Sequence, residues 1–561
     1  MKKINNCLKI SMFLIFTTSI IGCKNSNKTI EEKVEQRPNI LFIMADDLGF
    51  SDIGAFGSEI STPNLDKLAQ EGRILTNFHS AAACSPTRAE LLSGADHHPV
   101  GLGEMSEVLS ATPALQDKPG YDGYLNDNAL VLPEILQDHG YHTYMAGKWH
   151  LGLTEKTSPK TRGFERSFVL LEGMDLHFKA SSPELARGST YKEDDISVTL
   201  PANFYSTNFY TDKLIEYIEH NKNDKKPFFA YAAYTAPHWP IQAPNEFIAS
   251  NQGKYDSGYE VIRNNRFEKQ KKLGIIPLDY EIPAFLPTSK LTDKAPVWTE
   301  LTTEQKKFEA RKMEVYAGMV ENLDYNIGRL ISYLKQNNLY DNTLIFFVSD
   351  NGPQAIEIDQ RPQYNNSYEN IGHGDSYIQI GSRWAEVSAT PFQLFKHTAG
   401  EGANSVPAIV RLPHQYKTVQ QSSEFVSIRD ILPTILDFTD IQHPTTEYKN
   451  RKVIPISGLS WKEFLLGKQN SVRGNTFFFG DELHGNKYIR NKDWKLRYQV
   501  YPISMGTGSW ELFDLRTDRT EKQNLVSQKP EIVKQLIDEY NSYADKNGVV
   551  DLTKIDSPNK K

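Results

Sequence analysis

The stretch that decides the fold is Asn39-Ile40-Leu41-Phe42-Ile43-Met44-Ala45-Asp46-Asp47. Its first seven residues are almost continuously apolar, which is typical of a strand buried on both faces of a parallel sheet. The run ends in two adjacent carboxylates, Asp46 and Asp47, which are costly beside a buried strand unless a cation meets them. A hard divalent ion with oxygen ligands would satisfy them. The alternative is a solvated Asp-Asp turn, and the strand context favours the metal.

Three later apolar runs have the same character, and polar side chains follow each of them. They are residues 141–146, followed by Lys148 and His150; residues 227–234, followed by His238; and residues 342–349, followed by Asp350 and Asn351. Because ligands of open α/β sheets bind outside the carboxyl ends of the strands, we expect these side chains to share one edge. Isolated lysines and histidines are more often surface groups, so the prediction depends on their recurrence.

Residues 81–94 predict a helix that begins near a cysteine. Pro86 suits the first helical turn, and residues 89–92 are good helix formers. Cys84 would then lie at a helix N-terminus, where free amides favour negative charge, and Arg88 would lie on the same face. This environment suits an anionic substrate or an anion made from Cys84 itself. The alternative is a buried structural thiol.

The remaining pattern predicts an α/β fold with a large, mostly parallel sheet flanked by helices. Helices are predicted at 62–71, 130–140, 209–221, 307–336 and 427–439, with a further strand at 406–411. Residues 162–168 and 172–201 are interpreted as loop, and 241–305 as an insertion. From about residue 455, short β-like runs at 476–479, 487–490, 494–500 and 511–514 predict a small antiparallel sheet, closed by a helix at 530–546. Asp96-His97-His98 is interpreted as polar groups packed near a turn rather than as a metal site.

Composition limits the classes of function. The chain has 561 residues, 39% hydrophobic and 24% charged, as expected of a globular protein. Its net charge of −7 argues against nucleic acid as a partner. A local cationic pocket within this acidic whole would therefore be informative.

The N-terminus has the pattern of a targeting segment. Lys2 and Lys3 precede an apolar run at 10–21 that is too short to span a bilayer. The run ends in Gly22-Cys23, which resembles a bacterial lipoprotein processing site; an ordinary secretory signal is the alternative. We expect residues 1–22 to be a signal peptide and 23–37 a tether, with lipid on Cys23 as the only membrane contact. Cys84 would then be the one cysteine left without such a role, and hence a candidate reactive group.

Several motifs together resemble one family. They are Ala45 to Gly49, Cys84-x-Pro86-x-Arg88 with its continuation to Gly94, Gly147 to Gly152, Ala236 to Pro240, Asp350-Asn351-Gly352, and Trp510 to Leu515 with Asn524-Leu525. In this order they resemble the type I sulfatases of the alkaline phosphatase superfamily, and are most similar to bacterial arylsulfatases. The resemblance implies an alkaline-phosphatase-like catalytic domain at 38–454, a C-terminal α+β subdomain at 455–550, and a tail at 551–561.

The resemblance also implies roles for particular residues. A maturation enzyme would convert Cys84 to 3-oxoalanine (Cα-formylglycine), whose hydrate is the nucleophile. One calcium ion would be held by Asp46, Asp47, Asp350, Asn351 and an oxygen of residue 84. Arg88, Lys148 and His150 would orient the hydrate, and His238 and Lys396 would grip the sulfate group and assist the leaving oxygen. One departure is Ser405, which stands where the family usually has arginine.

The expected function is hydrolysis of sulfate monoesters, aryl sulfates or sulfated carbohydrates, to alcohol and sulfate. The targeting segment places the enzyme, lipid-anchored, in a bacterial cell envelope, in the periplasm or on the outer-membrane surface, where it would take part in polysaccharide degradation. One alternative is a phosphonate or phosphodiester hydrolase of the same superfamily. Another is a non-catalytic surface lipoprotein that binds glycans. The physiological ester is left open.

Overall fold

The computed structural model describes residues 37–355, 361–416, 421–500 and 505–552. Its strands are β1 (Asn39–Ala45), β2 (Arg73–Leu75), β3 (Phe78–His79), β4 (His142–Lys148), β5 (Arg166–Leu170), β6 (Tyr191–Glu193), β7 (Ile196–Ser197), β8 (Phe228–Ala233), β9 (Thr343–Ser349), β10 (Ala408–Arg411), β11 (Gln421–Ser422), β12 (Val426–Ser427), β13 (Glu447–Tyr448), β14 (Arg451–Lys452), β15 (Phe479–Leu483), β16 (Asn486–Arg490), β17 (Trp494–Tyr498) and β18 (Trp510–Asp514). Its α-helices are α1 (Pro63–Glu71), α2 (Cys84–Ser93), α3 (Ser106–Leu109), α4 (Leu132–Asp138), α5 (Ser206–Asn221), α6 (Asn245–Ala249), α7 (Tyr259–Lys272), α8 (Thr303–Gln336), α9 (Ser382–Ser388), α10 (Glu401–Asn404), α11 (Ile431–Thr439), α12 (Lys462–Leu465) and α13 (Pro530–Asn547).

A large mixed sheet organises the chain. Within the described residues it has ten strands in the order β11-β2-β10-β9-β1-β8-β4-β5-β6-β7. The five strands from β9 to β5 run parallel, and β10 and β6 pair antiparallel on either side of them. Strand β1 lies in the middle, with Leu41 between Ala230 of β8 and Ile345 of β9. The predicted mostly parallel sheet is confirmed.

The apolar run of β1 supplies both faces of this sheet. Leu41 and Ile43 belong to one hydrophobic core, whereas Ile40, Phe42 and Met44 belong to the core on the opposite face. Each of these side chains is 0% exposed. Because successive side chains of a strand point to opposite faces, only a sheet covered on both sides can bury a continuous run of this kind.

Helices cover both faces of the sheet. The long helix α8 packs into the first core through an apolar stripe that includes Val320, Leu323 and Ile327. It starts at a capping box, in which Thr302 Oγ1 accepts a hydrogen bond from the backbone N–H of Gln305 and the Gln305 side chain accepts one in return. Helices α4 and α11 cover the other face. The result is a layered α/β body.

Several segments differ from the sequence prediction. Residues 162–168 were interpreted as loop, but β5 begins at Arg166 and pairs in parallel with β4. The predicted loop at 172–201 likewise contains the paired strands β6 and β7. The predicted insertion at 241–305 contains α7, whose residues Tyr259, Ile262 and Phe267 join the first core. Helix α9 was not predicted, and all its residues are buried. The two helices were missed because neither shows a simple polar and apolar face.

The C-terminal region forms the predicted antiparallel sheet plus helix. Strands β15 to β18 follow one another in a four-stranded meander, although β15 begins at Phe479, where the predicted strand ended. Helix α13 packs Leu536 and Tyr540 against Ile489, Leu496 and Leu512 of this sheet. The fold class is thereby confirmed, while the domain limits at 454 and 550 stay predictions.

The predicted signal peptide and most of the tether lie outside the described residues, as does the tail from residue 553. Across the part of the chain that is described, no helix combines the length and apolar character needed to cross a bilayer.

Candidate active site

Four neighbouring parallel strands deliver the predicted side chains to one edge of the sheet. In the order β9-β1-β8-β4, Asp350 follows the first strand, Asp46 the second and His238 the third, and Lys148 ends the fourth. Gly147, which precedes Lys148 in β4, has a φ of 125°. A Cβ added to it would lie 1.8 Å from the carbonyl oxygen of Ala233 in β8. A glycine is therefore required for β4 to approach β8 closely at this point.

Cys84 is the first residue of α2, and the preceding residue, Ala83, has an extended backbone conformation. The residue is 1% exposed and is a free thiol. Thr87 holds the preceding loop, because its hydroxyl oxygen accepts a hydrogen bond from the N–H of Ala81 at 3.0 Å. Cys84 therefore lies at a helix N-terminus that points to the same sheet edge, as predicted.

The thiol lies between two carboxylates and a lysine. Cys84 Sγ donates to Asp46 Oδ1 at 3.4 Å and lies 4.0 Å from Asp47 Oδ1. Lys396 Nζ donates to Cys84 Sγ at 3.0 Å and to Asp47 Oδ1 at 2.7 Å. Lys396 was assigned by resemblance from a distant loop, and the fold brings it into contact with residue 84.

Two further cations compensate the carboxylates. Lys148 Nζ donates to Asp46 Oδ2 at 2.8 Å. The guanidinium of Arg88 donates to Asp350 Oδ2 at 2.7 Å and to the carbonyl oxygen of Lys148 at 2.9 Å. All four side chains are buried. Charges this far from water are tolerated because they are paired and hydrogen-bonded.

The electrostatics keep this cluster ionised. Burial raises the pKa of Asp46, but the charges of Lys148 and His238 outweigh it and hold the pKa at about 2. Burial also raises the pKa of Asp47, but the charges of Lys396 and His238 outweigh this effect and lower it below the usual value. Burial disfavours a charged Lys396, yet Asp47 and the other acidic groups raise its pKa well above the usual value. The pocket therefore carries alternating fixed charges at neutral pH.

Cys84 itself is not set up as a thiolate. Burial raises the pKa of the Cys84 thiol well above its usual value, and Asp350 and Asp46 raise it further. The neighbouring lysines do not offset these effects. The expectation of an anion made from the unmodified cysteine is therefore not supported, and the anionic substrate remains the reason for the cations.

Two oxygen atoms suited to a metal ion accept no hydrogen bond from any described residue. They are the buried Asp47 Oδ2, which has only His238 Nε2 at 3.5 Å beside it, and Asn351 Oδ1. Asn351 Nδ2 donates to Asp47 Oδ1 at 2.7 Å, so the free amide oxygen belongs to a side chain already fixed at the site. Donor atoms of Asp46, Asp47, Cys84 and His238 all lie within 4.8 Å of one another, a spacing that could hold a metal ion. The oxygen-rich donor set fits a hard divalent cation.

The two predicted histidines have different surroundings. His238 stacks on Trp239, its Nδ1 shares a hydrogen bond of 2.6 Å with the Trp239 carbonyl oxygen, and its Nε2 lies 3.5 Å from Asp47 Oδ2. Burial lowers the pKa of His238 to about 4 despite the carboxylates. His150 lines the same pocket, but its Nε2 pairs with Glu107 Oε1 at 2.9 Å rather than with residue 84. Its Nδ1 is buried and has no hydrogen-bond partner among the residues that the structure describes.

The pocket above Cys84 has a volume of about 410 Å³, within the range of small-ligand sites. Besides predicted residues, Glu107, Arg187, Trp239 and His397 line it. The sequence analysis did not single these four out. Trp239 and His397 directly follow predicted residues, which was the one available signal, whereas Glu107 comes from helix α3 and Arg187 from the segment between β5 and β6.

The other residues flagged in the sequence have structural surroundings. Both ring nitrogens of His97 and of His98 are already hydrogen-bonded, including contacts of His98 with Asp96 at 2.8 Å and Glu482 at 3.1 Å. This agrees with the interpretation of polar groups packed near a turn. Ser405, the departure from the family pattern, is buried, and Arg519 donates to its hydroxyl at 3.4 Å from the C-terminal region.

Solved structures share this architecture. The crystal structure of Ps i-CgsB matches with a TM-score of 0.64 at 23% identity, covering 92% of this chain and 94% of that one. At this identity the likeness shows the fold alone. The phosphonate monoester hydrolase of Agrobacterium radiobacter also shares the fold, with a TM-score of 0.55 at 18% identity, covering 91% of this chain and 96% of that one.

Sequence comparison identifies the family. The sulfatase family model matches residues 38–441, and the model for the C-terminal part of N-sulphoglucosamine sulphohydrolase matches 395–546. An uncharacterized sulfatase of Schizosaccharomyces pombe is 44% identical over 543 residues, 93% of this chain and 96% of that protein. An arylsulfatase of Klebsiella aerogenes is 35% identical over 450 residues, covering 78% and 94%. The chain belongs to the sulfatase family and is a sulfuric ester hydrolase.

Proposed function

We propose that this enzyme hydrolyses sulfate monoesters outside the cytoplasm, with formylglycine at position 84 and one calcium ion. The observation that carries the proposal is the surroundings of Cys84. A buried thiol that resists ionisation is a poor nucleophile, yet it lies 3.0 Å from Lys396 and 3.4 Å from Asp46 at a helix N-terminus. Conversion to an aldehyde hydrate would put oxygen where Sγ now lies, and would supply the nucleophile that the thiol cannot.

Asp46, Asp47, Asp350 and Asn351 would hold the calcium ion. The unpartnered Asp47 Oδ2 and Asn351 Oδ1 are the atoms that motivate this assignment. When bound, the ion would polarise oxygen atoms at the reaction centre and stabilise negative charge there.

The remaining cations suit the charge changes of the reaction. A sulfate monoester is an anion, and negative charge grows on the leaving oxygen as the S–O bond breaks. Lys148 and Lys396 are held by carboxylates at 2.8 and 2.7 Å, so they would bind the sulfate group without rearranging. Preorganised donors of this type contribute about 10²–10³ in rate each. Among the pocket-lining histidines, His238 has its Nδ1 bonded to a backbone carbonyl, which leaves Nε2 facing the centre.

The pocket walls admit a ring-shaped alcohol. Trp239 offers an aromatic face, Glu107 offers a carboxylate that can accept from hydroxyls, and Arg187 offers a cation that can bind hydroxyls or a second anionic group. The Klebsiella relative is named an arylsulfatase, and Ps i-CgsB has been solved with k-i-k-neocarrahexaose. We therefore favour aryl sulfates and sulfated carbohydrates as the substrate class.

Two measurements test the chemistry. Peptide mass analysis of active enzyme should show an aldehyde in place of the Cys84 thiol, while protein made without a maturation enzyme should retain the thiol and be inactive. Fully active enzyme with only unmodified cysteine would refute the formylglycine assignment. Chelation should abolish activity and lower the melting temperature, and calcium should restore both, because a ligand that binds the folded state stabilises it. Asp350→Asn should remove the calcium-dependent rise in melting temperature.

The rival activities are separated by substrate. The enzyme should turn over aryl sulfates far faster than aryl phosphate diesters or phosphonates, and the reverse order would favour the phosphonate or phosphodiester hydrolase. A protein that binds sulfated glycans but releases no sulfate would favour the non-catalytic alternative. For localisation, Cys23→Ser should release the protein from bacterial membranes and abolish lipid labelling. Unchanged membrane association would contradict the lipid anchor.

A further inference from the structure

A hairpin of the C-terminal sheet reaches the catalytic pocket. Strands β15 and β16 are joined by His484 and Gly485, and His484 adopts a left-handed conformation with φ 58°. His484 Nε2 lies 2.9 Å from Nδ1 of His397, which lines the pocket beside Lys396. On its other side, His484 Nδ1 lies 2.9 and 3.0 Å from the two carboxylate oxygens of Glu104. The three side chains form an unbroken row from a buried carboxylate to the pocket.

The end of this row is held firmly. The N–H of His397 donates to the carbonyl of Ala82 at 2.9 Å, and its carbonyl accepts from Asn486 Nδ2 at 2.7 Å. His397 also has a positive φ of 67°, a costly conformation for a residue with a side chain. Such strain persists where surrounding contacts fix the backbone, and it often marks a functional position.

The hydrogen bonds restrict where protons can be. Glu104 accepts from His484 Nδ1, so that nitrogen carries a proton. The short contact between the two rings requires one proton between His484 Nε2 and His397 Nδ1. A proton on His484 Nε2 leaves His397 Nδ1 as acceptor and His397 Nε2 as a donor. A proton on His397 Nδ1 leaves His397 Nε2 as an acceptor. Within the described residues, His397 Nε2 makes no hydrogen bond.

We propose that Glu104, His484 and His397 form a proton relay that protonates the leaving oxygen of the sulfate ester. The proposal rests on the proposed sulfatase function. The alcohol part of the ester would occupy the pocket above Cys84, and His397 is among the residues that line this pocket. The Glu104 carboxylate corresponds to the aspartate of a Ser-His-Asp triad, which orients the imidazole and stabilises its cation.

The step balances as follows. As the S–O bond breaks, its electron pair goes to the leaving oxygen, which takes the proton from His397 Nε2. His397 Nδ1 takes the proton from His484 Nε2, so the imidazolium of His484 becomes neutral. Glu104 stays ionised throughout. Water returns one proton to the relay after the alcohol has left.

The charges around His397 favour its use as a conduit. Burial, with His484 from the hairpin, Lys396 from its own loop and His238 from the loop after β8, lowers the pKa of His397 well below its usual value. A neutral His397 can accept a proton at Nδ1 and release one at Nε2 without retaining the charge.

The test compares esters whose leaving groups differ in basicity. Proton donation matters most when the leaving oxygen is strongly basic, as in phenyl sulfate, and least for 4-nitrophenyl sulfate. In His397→Gln, His484→Gln and Glu104→Gln, the kcat/KM ratio of phenyl to 4-nitrophenyl sulfate should fall about tenfold or more, since general acid catalysis contributes about 10²–10⁴. The surface variant His139→Gln is the matched control and should keep the wild-type ratio.

The split between kcat and KM provides a second readout. Glu104→Gln removes the carboxylate that accepts from His484 Nδ1, so the loss on phenyl sulfate should appear in kcat while KM changes little. A merely structural role would lower the activity on both esters alike and leave their ratio unchanged, which would overturn the relay. Wild-type enzyme that releases sulfate neither from these esters nor from sulfated oligosaccharides would instead refute the proposed function itself.

Discussion

Arg88→Lys tests whether the fixed charges around residue 84 act through geometry as well as through charge. The guanidinium donates two hydrogen bonds to buried acceptors, Asp350 Oδ2 at 2.7 Å and the Lys148 carbonyl at 2.9 Å. A lysine keeps the charge but has a single ammonium on a flexible stem, so it cannot hold both acceptors in the same arrangement.

The magnitude follows from the bond that is lost. A hydrogen bond involving a charged group contributes about 1.5–3 kcal/mol. Because roughly 1.4 kcal/mol is a factor of ten in rate, a bond that is needed in the transition state predicts a fall in kcat/KM of about 10–150-fold. The fall should appear mainly in kcat, since the arginine binds no part of the alcohol.

The assay is hydrolysis of 4-nitrophenyl sulfate by wild type and variant carrying equal fractions of modified residue 84, with melting temperature measured in parallel. Arg266→Lys is the control, because Arg266 is also buried and pairs with Asp52 at 2.5 Å and Glu59 at 2.8 Å in a separate cluster. It should lower the melting temperature but keep kcat/KM within about threefold. Activity of Arg88→Lys within twofold of wild type, or an equal loss in Arg266→Lys, would refute the reasoning.

Three further predictions concern stability and substrate binding. Burial lowers the pKa of His98, but its hydrogen bonds to Asp96 and Glu482 raise it to about 10. Protonation of His98 therefore stabilises the folded protein fully below the pKa of about 6.5 in the unfolded chain, and this stabilisation is lost as the pH rises towards 10. His98→Gln should flatten the fall in melting temperature over that interval. An unchanged slope would contradict this assignment. Gly147→Ala should destabilise the sheet strongly, because the added Cβ would lie 1.8 Å from a carbonyl oxygen of β8, and a melting temperature equal to that of wild type would show that the strands can separate. Trp239→Ala should raise KM for aryl sulfates about 2–10-fold with little change in kcat, since an aromatic contact contributes about 0.5–1.5 kcal/mol. A fall in kcat alone would instead indicate that His238, on which Trp239 stacks, has been disturbed.

The central sheet could be predicted because its strands are buried on both faces. A continuous apolar run such as Ile40 to Ala45 can be buried fully in few structures other than the centre of a covered sheet. The polar residue after each such run then lies at a common edge of that sheet. Strand β5 was harder to predict, because Arg166 is only partly buried and its run is short. Helices α7 and α9 were missed for a different reason, since their buried residues include charged side chains such as Arg266 and Arg383 that pair only in the folded protein.

The sequence by itself determined the strand ends, the position of Cys84 at a helix start and the residue types that meet there. These follow from local periodicity and capping, and from a resemblance carried by short motifs. Only the tertiary structure decided which charges pair, for example Lys396 with Asp47 and Arg88 with Asp350. It also decided that His484 joins Glu104, although 380 residues separate them in the chain. Contacts between such distant residues depend on how the C-terminal sheet packs beside the pocket, and no local pattern encodes that packing.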